Sequence, residues 1–370
     1  MTTSRRWPAG GPRWFARPAA RAWTCAPAPA EVRAFHSRLP GYAPTPLIEV
    51  PALAARLGVG RVFVKDESAR MGLAAFKVLG ASWAIHQVLS RHPADAELLL
   101  ITASDGNHGR AVARMARLFG QRAHVFLPSG VHPVAIAAIA AEGARVTEVA
   151  GTYDEAVRLA AETAAHEASA ELVQDTAWPG YERVPGWIVE GYATLFAEID
   201  AQLADIGVPG PGLVVVPVGV GSLAQAAVTH YRSRTGASAA ALLSVEPEAA
   251  ACVLASLARD ELVSVPAGTT IMAGLNCETP SMLAWPCLRA GLDAALAITD
   301  AESIAAAHEL AGYGIPAGPC GAASLAGTLA ALTGEGADAR RAALAIGPDT
   351  TVVLLSTEGT AANPVPDAPG

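Results

Sequence analysis

The chain has 370 residues, 52% hydrophobic and 16% charged, which is enough apolar material for a buried core and more chain than one average domain uses. A formal net charge of -8 with only 26 Lys and Arg argues against the clustered basic surface that a nucleic-acid backbone needs. Five scattered cysteines without a CxxC pair suggest neither a disulfide framework nor a zinc site, and no apolar stretch is long enough for a secretory core or a bilayer span.

In chain order, residues 1–34 are rich in Arg, Pro and Ala and read as an arm lying over the surface. From Arg61 onward short apolar runs alternate with longer amphipathic ones, the pattern of a parallel sheet with helical crossovers. Strands are expected at Val62–Lys65, Leu98–Ala103, His124–Leu127, Arg145–Val149, Leu172–Gln174, Leu213–Val218, Leu242–Val245 and Val352–Ser356. Helices are expected at Lys77–Leu89, Asn107–Leu118, Tyr153–His166 and Trp187–Leu203, each with apolar residues at three- and four-residue intervals. The class is α/β. The Pro and Gly cluster Trp178–Gly186 separates two such series and is the expected crossing between domains.

Lys77, in Ala75-Phe76-Lys77-Val78-Leu79-Gly80, heads an otherwise apolar helix, and with Phe63 and Val64 as apolar neighbours its amine would be suited to Schiff-base formation with an aldehyde. A snorkelling surface lysine has the same local sequence. Gly219-Val220-Gly221-Ser222-Leu223 follows an apolar strand and opens a helix, so its amides can hold a phosphate without a basic side chain; a plain tight turn is the alternative. Ser104-Asp105-Gly106-Asn107-His108-Gly109 lies between a strand and a helix, where Ser104 or Asp105 is equally suited to cap the helix. Gln174-Asp175-Thr176-Ala177-Trp178 stands at another strand end, where ligand contacts collect in open α/β sheets. The nine histidines are dispersed, with no HExxH pair, so a catalytic metal is not expected.

Taken in order, Pro44-Thr45-Pro46-Leu47, the Lys77 phrase, Ser104 to Gly109, Gly219 to Leu223 and Leu355-Ser356-Thr357-Glu358-Gly359 resemble the fold-type II enzymes that use pyridoxal phosphate (PLP). Phe35 to Tyr42, Val64-Lys65-Asp66-Glu67-Ser68, Ser104 to Arg110, Gln174 to Trp178 and Ile271-Met272-Ala273-Gly274-Leu275 are more closely similar to the diaminopropionate ammonia-lyases. The likeness runs from about Phe35 to Gly359. One stretch departs from it: Gly318-Pro319-Cys320-Gly321-Ala322 stands where many relatives read Glu-Ser-Gly-Ala, so an acid is missing.

The resemblance implies two open, mostly parallel sheet domains with helices on both faces and the cofactor in the cleft between them. The expected division is a large PLP-anchoring domain of residues 35–76 and 187–362, a small domain of 77–186 and a tail of 363–370. It implies that Lys77 forms the internal aldimine, Asn107 contacts the ring hydroxyl, the amides of Gly219, Val220, Gly221, Ser222 and Leu223 hold the phosphate, and Ser356 meets the pyridine nitrogen; Phe76 joins the cofactor-binding set. Asp105 and Lys77 would act as bases on opposite faces of Cα, and Asp105 would help an amine depart protonated, with Asp175 binding the same cationic group. The implied reaction is α,β-elimination of 2,3-diaminopropionate to pyruvate and ammonia. A serine or threonine dehydratase, another β-eliminating or β-replacing enzyme, and a PLP-binding protein without turnover are the alternatives. The resemblance also implies a homodimer acting on a small amino acid; the scattered cysteines fit a reducing cytosol, and charge and hydropathy suggest no nucleic-acid or membrane partner.

Overall fold

The computed structural model describes residues 13–104, 106–233 and 240–366. These contain eleven strands: β1 (Trp14–Ala16), β2 (Leu47–Glu49), β3 (Arg61–Asp66), β4 (Leu99–Ala103), β5 (Arg122–Leu127), β6 (Arg145–Glu148), β7 (Ala170–Leu172), β8 (Leu213–Pro217), β9 (Ala241–Pro247), β10 (Ala294–Ile298) and β11 (Thr351–Ser356). Seven form one sheet in the order β1-β10-β9-β8-β11-β3-β2, and four form another in the order β6-β5-β4-β7. The small sheet is wholly parallel. The large one is parallel except at its edges, where β1 and β2 run antiparallel to β10 and β3.

Side chains alternate between faces along a strand, and both faces of the large sheet are apolar. Val353 and Leu355 enter the core cluster on one side, whereas Val352 and Leu354 enter the cluster on the other. A parallel sheet buried in this way must be covered by helices on both faces. The first cluster also takes in Leu100, Val125 and Leu127 of the small sheet, so apolar packing is continuous between the two sheets. The α/β class expected from the periodicity is the class observed.

Three local expectations need correction. The arm does not simply lie over the surface: Trp14–Ala16 pairs with β10 as an edge strand, a run too short to show a period. The expected strand Leu172–Gln174 is displaced to Ala170–Leu172. Its ladder ends because the Gln174 side chain accepts the Ala103 amide at 2.9 Å, in place of a main-chain partner. The helix expected from Trp187 begins earlier, at Arg183, inside the Trp178–Gly186 cluster. Pro185 is tolerated there since amides of the first turn have no intrahelical acceptor.

Candidate active site

Strands β4, β8 and β11 end at one cleft of about 720 Å³, lined by Phe76, Lys77, Asn107, Asp175, Gly219 to Leu223 and Glu358 among others. Lys77 immediately precedes the helix Val78–Leu89. Its approach is fixed by the adjoining chain: Ala75 bridges Glu358, and the Phe76 amide donates to Thr357 O at 3.3 Å. Phe76 is buried and packs on Tyr192 with ring centroids 4.8 Å apart.

The surroundings of the lysine are not apolar as expected. Lys77 Nζ donates to Asp175 Oδ2 at 2.5 Å; its side chain is 21% exposed and that of Asp175 only 6%. Burial alone would push the Asp175 carboxyl up, but the His108 ring and the Lys77 ammonium outweigh it and hold the group below its ordinary range. Burial also lowers His108 and favours its neutral ring. His108 Nε2 donates to Val173 O at 2.8 Å, and Nδ1 lies 3.8 Å from Asp175 Oδ2. The Tyr153 hydroxyl, bonded at 2.8 Å by Gln174 Nε2, is 3.5 Å from Asp175 Oδ1.

The glycine loop enters the helix Ser222–Arg232 through Gly221, at φ +99°, a left-handed conformation that suits glycine. A Cβ on Gly219 would come within 2.9 Å of Gly274 O and 3.0 Å of Cys277 Sγ. At Gly219 the loop can therefore meet its neighbours only with backbone. Ser222 Oγ donates to Asp175 O at 2.8 Å and ties the loop to the ion pair. Ser104 Oγ accepts the amides of Gly106 and Gly109, both at 2.9 Å, so it serves the helix Asn107–Leu118 as a cap. Asp105, the most informative residue of this motif, lies outside the described residues.

Ser356 is fully buried at the end of β11, and its hydroxyl has no hydrogen-bond partner. A buried orphan hydroxyl beneath the cleft, a glycine cradle of free amides and a lysine on the same cavity fit a phosphorylated pyridine aldehyde in charge, shape and polarity. Of the expected site residues, Phe76, Lys77, Asn107, Asp175 and Gly219 to Leu223 share the cleft; Ser356 stands one residue behind its lining. Tyr153, Glu358 and the stretch Ala267 to Ile271 also line it but were given no role by sequence. Glu358 was the most discoverable of these, as an acid two residues past an apolar strand.

These features define an enzyme class that works through a lysine-bound phosphorylated cofactor. A sequence model of the family described as pyridoxal-phosphate dependent enzyme matches residues 38–358, and the chain belongs to that family, whose cofactor is pyridoxal 5'-phosphate. Within it the relatives include diaminopropionate ammonia-lyases. That of Escherichia coli K12 is 36% identical over 88% of this chain and 87% of its own length. That of Salmonella typhimurium LT2 is 38% identical over 70% of this chain and 69% of its own. The crystal structure of the Escherichia coli enzyme with an aminoacrylate-PLP azomethine reaction intermediate superposes with a TM-score of 0.82 and 33% identity, covering 94% of this chain and 90% of that one.

Proposed function

We propose that the chain eliminates ammonia from 2,3-diaminopropionate, with pyruvate and a second ammonia released after water adds to the unsaturated product. Its fold-type II relatives support the reaction class, and the observation that carries the substrate is the buried carboxylate of Asp175 against Lys77. Lys77 would carry the cofactor through Nζ, Gly219 to Leu223 would take the phosphate on their amides, Asn107 would face the ring hydroxyl, Ser356 the ring nitrogen and Phe76 would line the pocket. Pyridoxal phosphate supplies the sink for electrons left at Cα when its proton departs.

Once Lys77 carries the cofactor, its free ammonium is no longer available to Asp175, and a buried carboxylate without a partner is costly. The second ammonium of a diamino acid restores the pair, whereas the hydroxyl of serine or threonine does not. Asp175 thus selects a cationic leaving group and keeps it protonated as it departs. Once the substrate's α-amine has displaced it from the cofactor, Lys77 Nζ would take the Cα proton on one face, and Asp105 is assigned the same task on the other, which admits both enantiomers.

We further assign residues 35–76 and 187–362 to a PLP-anchoring domain and 77–186 to a small domain, and infer a cytoplasmic homodimer. The large and small sheets support the first assignment; the family resemblance supports the homodimer, and five free cysteines fit a reducing cytosol. Among the described residues no helix is long and apolar enough to cross a membrane. The deciding experiment measures pyruvate from D- and L-2,3-diaminopropionate beside L-serine, and 2-oxobutyrate from L-threonine, using the PLP-loaded protein and a Lys77→Ala control. Preference for either diamine supports the reading. Preference for the hydroxy amino acids points to a dehydratase, and an absorbing holoprotein without product points to a binding protein.

A further inference from the structure

Glu358 is 2% exposed, yet it lines the cleft and is used in no step above. Its two carboxyl oxygens have separate partners. Oε2 accepts from Asn107 Nδ2 at 2.5 Å, while Oε1 accepts the Cys320 amide at 3.2 Å and lies 3.5 Å from Asn363 Nδ2. Asn363 is itself anchored by a 2.9 Å bond to Ile271 O. Cys320 is the second residue of the helix Pro319–Leu332, whose Gly318 N-cap makes no side-chain bond. An acid is therefore present in space at the very stretch whose sequence, Gly318 to Ala322, lacks one. Burial pushes this carboxyl up against the pull of Cys320, Asn107 and Asn363, none of which is a cation.

We infer that Glu358 is a positioning residue for the cofactor, acting through Asn107. The inference rests on the proposed contact between Asn107 and the cofactor ring. An asparagine amide can turn either its oxygen or its nitrogen toward a neighbour, and here Asn107 turns Nδ2 to Glu358 Oε2, which accepts. Glu358 therefore holds Asn107 with Nδ2 toward itself, leaving the second N–H of the same nitrogen to serve the ring oxygen. The two residues are 251 positions apart, one opening the helix Asn107–Leu118 and the other following β11, so their bond also fixes the separation of the two walls between which the ring must lie. Helix capping through Cys320 alone would leave the cofactor contact unaffected.

A double-mutant cycle on the full chain separates these roles. Wild type, Glu358→Gln, Asn107→Ala and the double variant are stripped of PLP, then titrated with it while the visible absorption band and the thermal midpoint are recorded. Glu358→Gln should weaken PLP binding about tenfold and move the band, as expected when the hydrogen bond that orients Asn107 toward the ring is weakened. In the Asn107→Ala background the same change should add little, because interacting residues are not additive. Independent, multiplying losses in the two single variants, or undiminished PLP binding in Glu358→Gln, would overturn the inference while leaving the proposed reaction standing. A wild-type chain that takes up no PLP would instead remove the reading on which it rests. Should Glu358→Gln prove unfolded, the cycle is run with Glu358→Asp, which draws the carboxylate back by one methylene and is read by the same criterion.

Discussion

Lys77 Nζ and Asp175 Oδ2 stand 2.5 Å apart across 98 residues of sequence, and Ser222 Oγ binds the Asp175 carbonyl from the glycine loop. The group expected to carry the cofactor, the group expected to read the substrate and the loop expected to hold the phosphate are thus coupled by direct bonds. Disturbing one should be felt by the others.

Asp175 is held below its ordinary value of 3.8 in the folded chain. A depressed carboxyl contributes stability above the unfolded pKa and loses it as pH falls through the folded one. For the cofactor-free protein, the thermal midpoint of wild type should exceed that of Asp175→Asn at neutral pH, and the gap should begin to narrow below about pH 4 and shrink further as pH falls toward the lower folded value. A gap that stays constant into acid would show that Asp175 is not ionised in the fold.

Asp175→Asn should also change substrate preference. Removing one partner of a buried charge pair should lower kcat/KM for 2,3-diaminopropionate roughly 100-fold, while serine turnover falls by no more than about tenfold. Steady-state assays on both substrates give the ratio directly. Equal losses on the two would deny Asp175 a role in recognising the amine.

Replacement of Asp105 by Asn should abolish turnover of the D-isomer and spare PLP uptake. An assay with separate enantiomers, beside an absorption titration, is sufficient. Full D-isomer activity in the variant would remove Asp105 from catalysis.

Gly221→Ala places a side chain at φ +99°, and its Cβ would lie 2.6 Å from Leu288 Cδ1. Leu288 can turn aside, but the backbone strain remains at about 1 kcal/mol or more. The loop should relax away from its present shape, weakening PLP binding roughly tenfold. Unchanged PLP affinity would indicate that the phosphate is held elsewhere.

Glu198 lies away from the cleft and accepts from Lys65 Nζ at 2.8 Å, Arg70 Nη1 at 2.7 Å and Tyr42 Oη at 2.8 Å. Lys65, Arg70 and Glu198 have fully buried side chains. Glu198→Ala would leave two buried cations short of an acceptor and should destabilise the chain by about 3–5 kcal/mol, read as a lower midpoint in denaturant. A loss below about 1 kcal/mol would mean that Glu67 neutralises the cluster alone.

That cluster shows where local reading stops. Lys65 and Glu67 belong to a motif that marked the family, and nothing nearby in sequence distinguishes them from active-site charges. Their partner Glu198 arrives from the helix Arg183–Asp205, and together they brace β3 rather than touch the cleft. Similarly, Trp14–Ala16 and Leu47–Glu49 are three-residue strands that exist because a sheet edge offers them a partner, and so carry no period of their own.

The sequence by itself determined the α/β class, the helices Asn107–Leu118 and Tyr153–His166, the lysine and the glycine loop, because periodicity, strand ends and backbone freedom are local properties. It also carried the family likeness, through motifs in fixed order. Only the tertiary structure decided that Lys77 meets Asp175, that Ser356 is buried without a partner and that Glu358 faces Asn107. Each of these depends on how strands far apart in sequence are ordered in a sheet, and burial turns such meetings into chemistry: a charge or hydroxyl removed from water must find its partner in whatever the fold brings near.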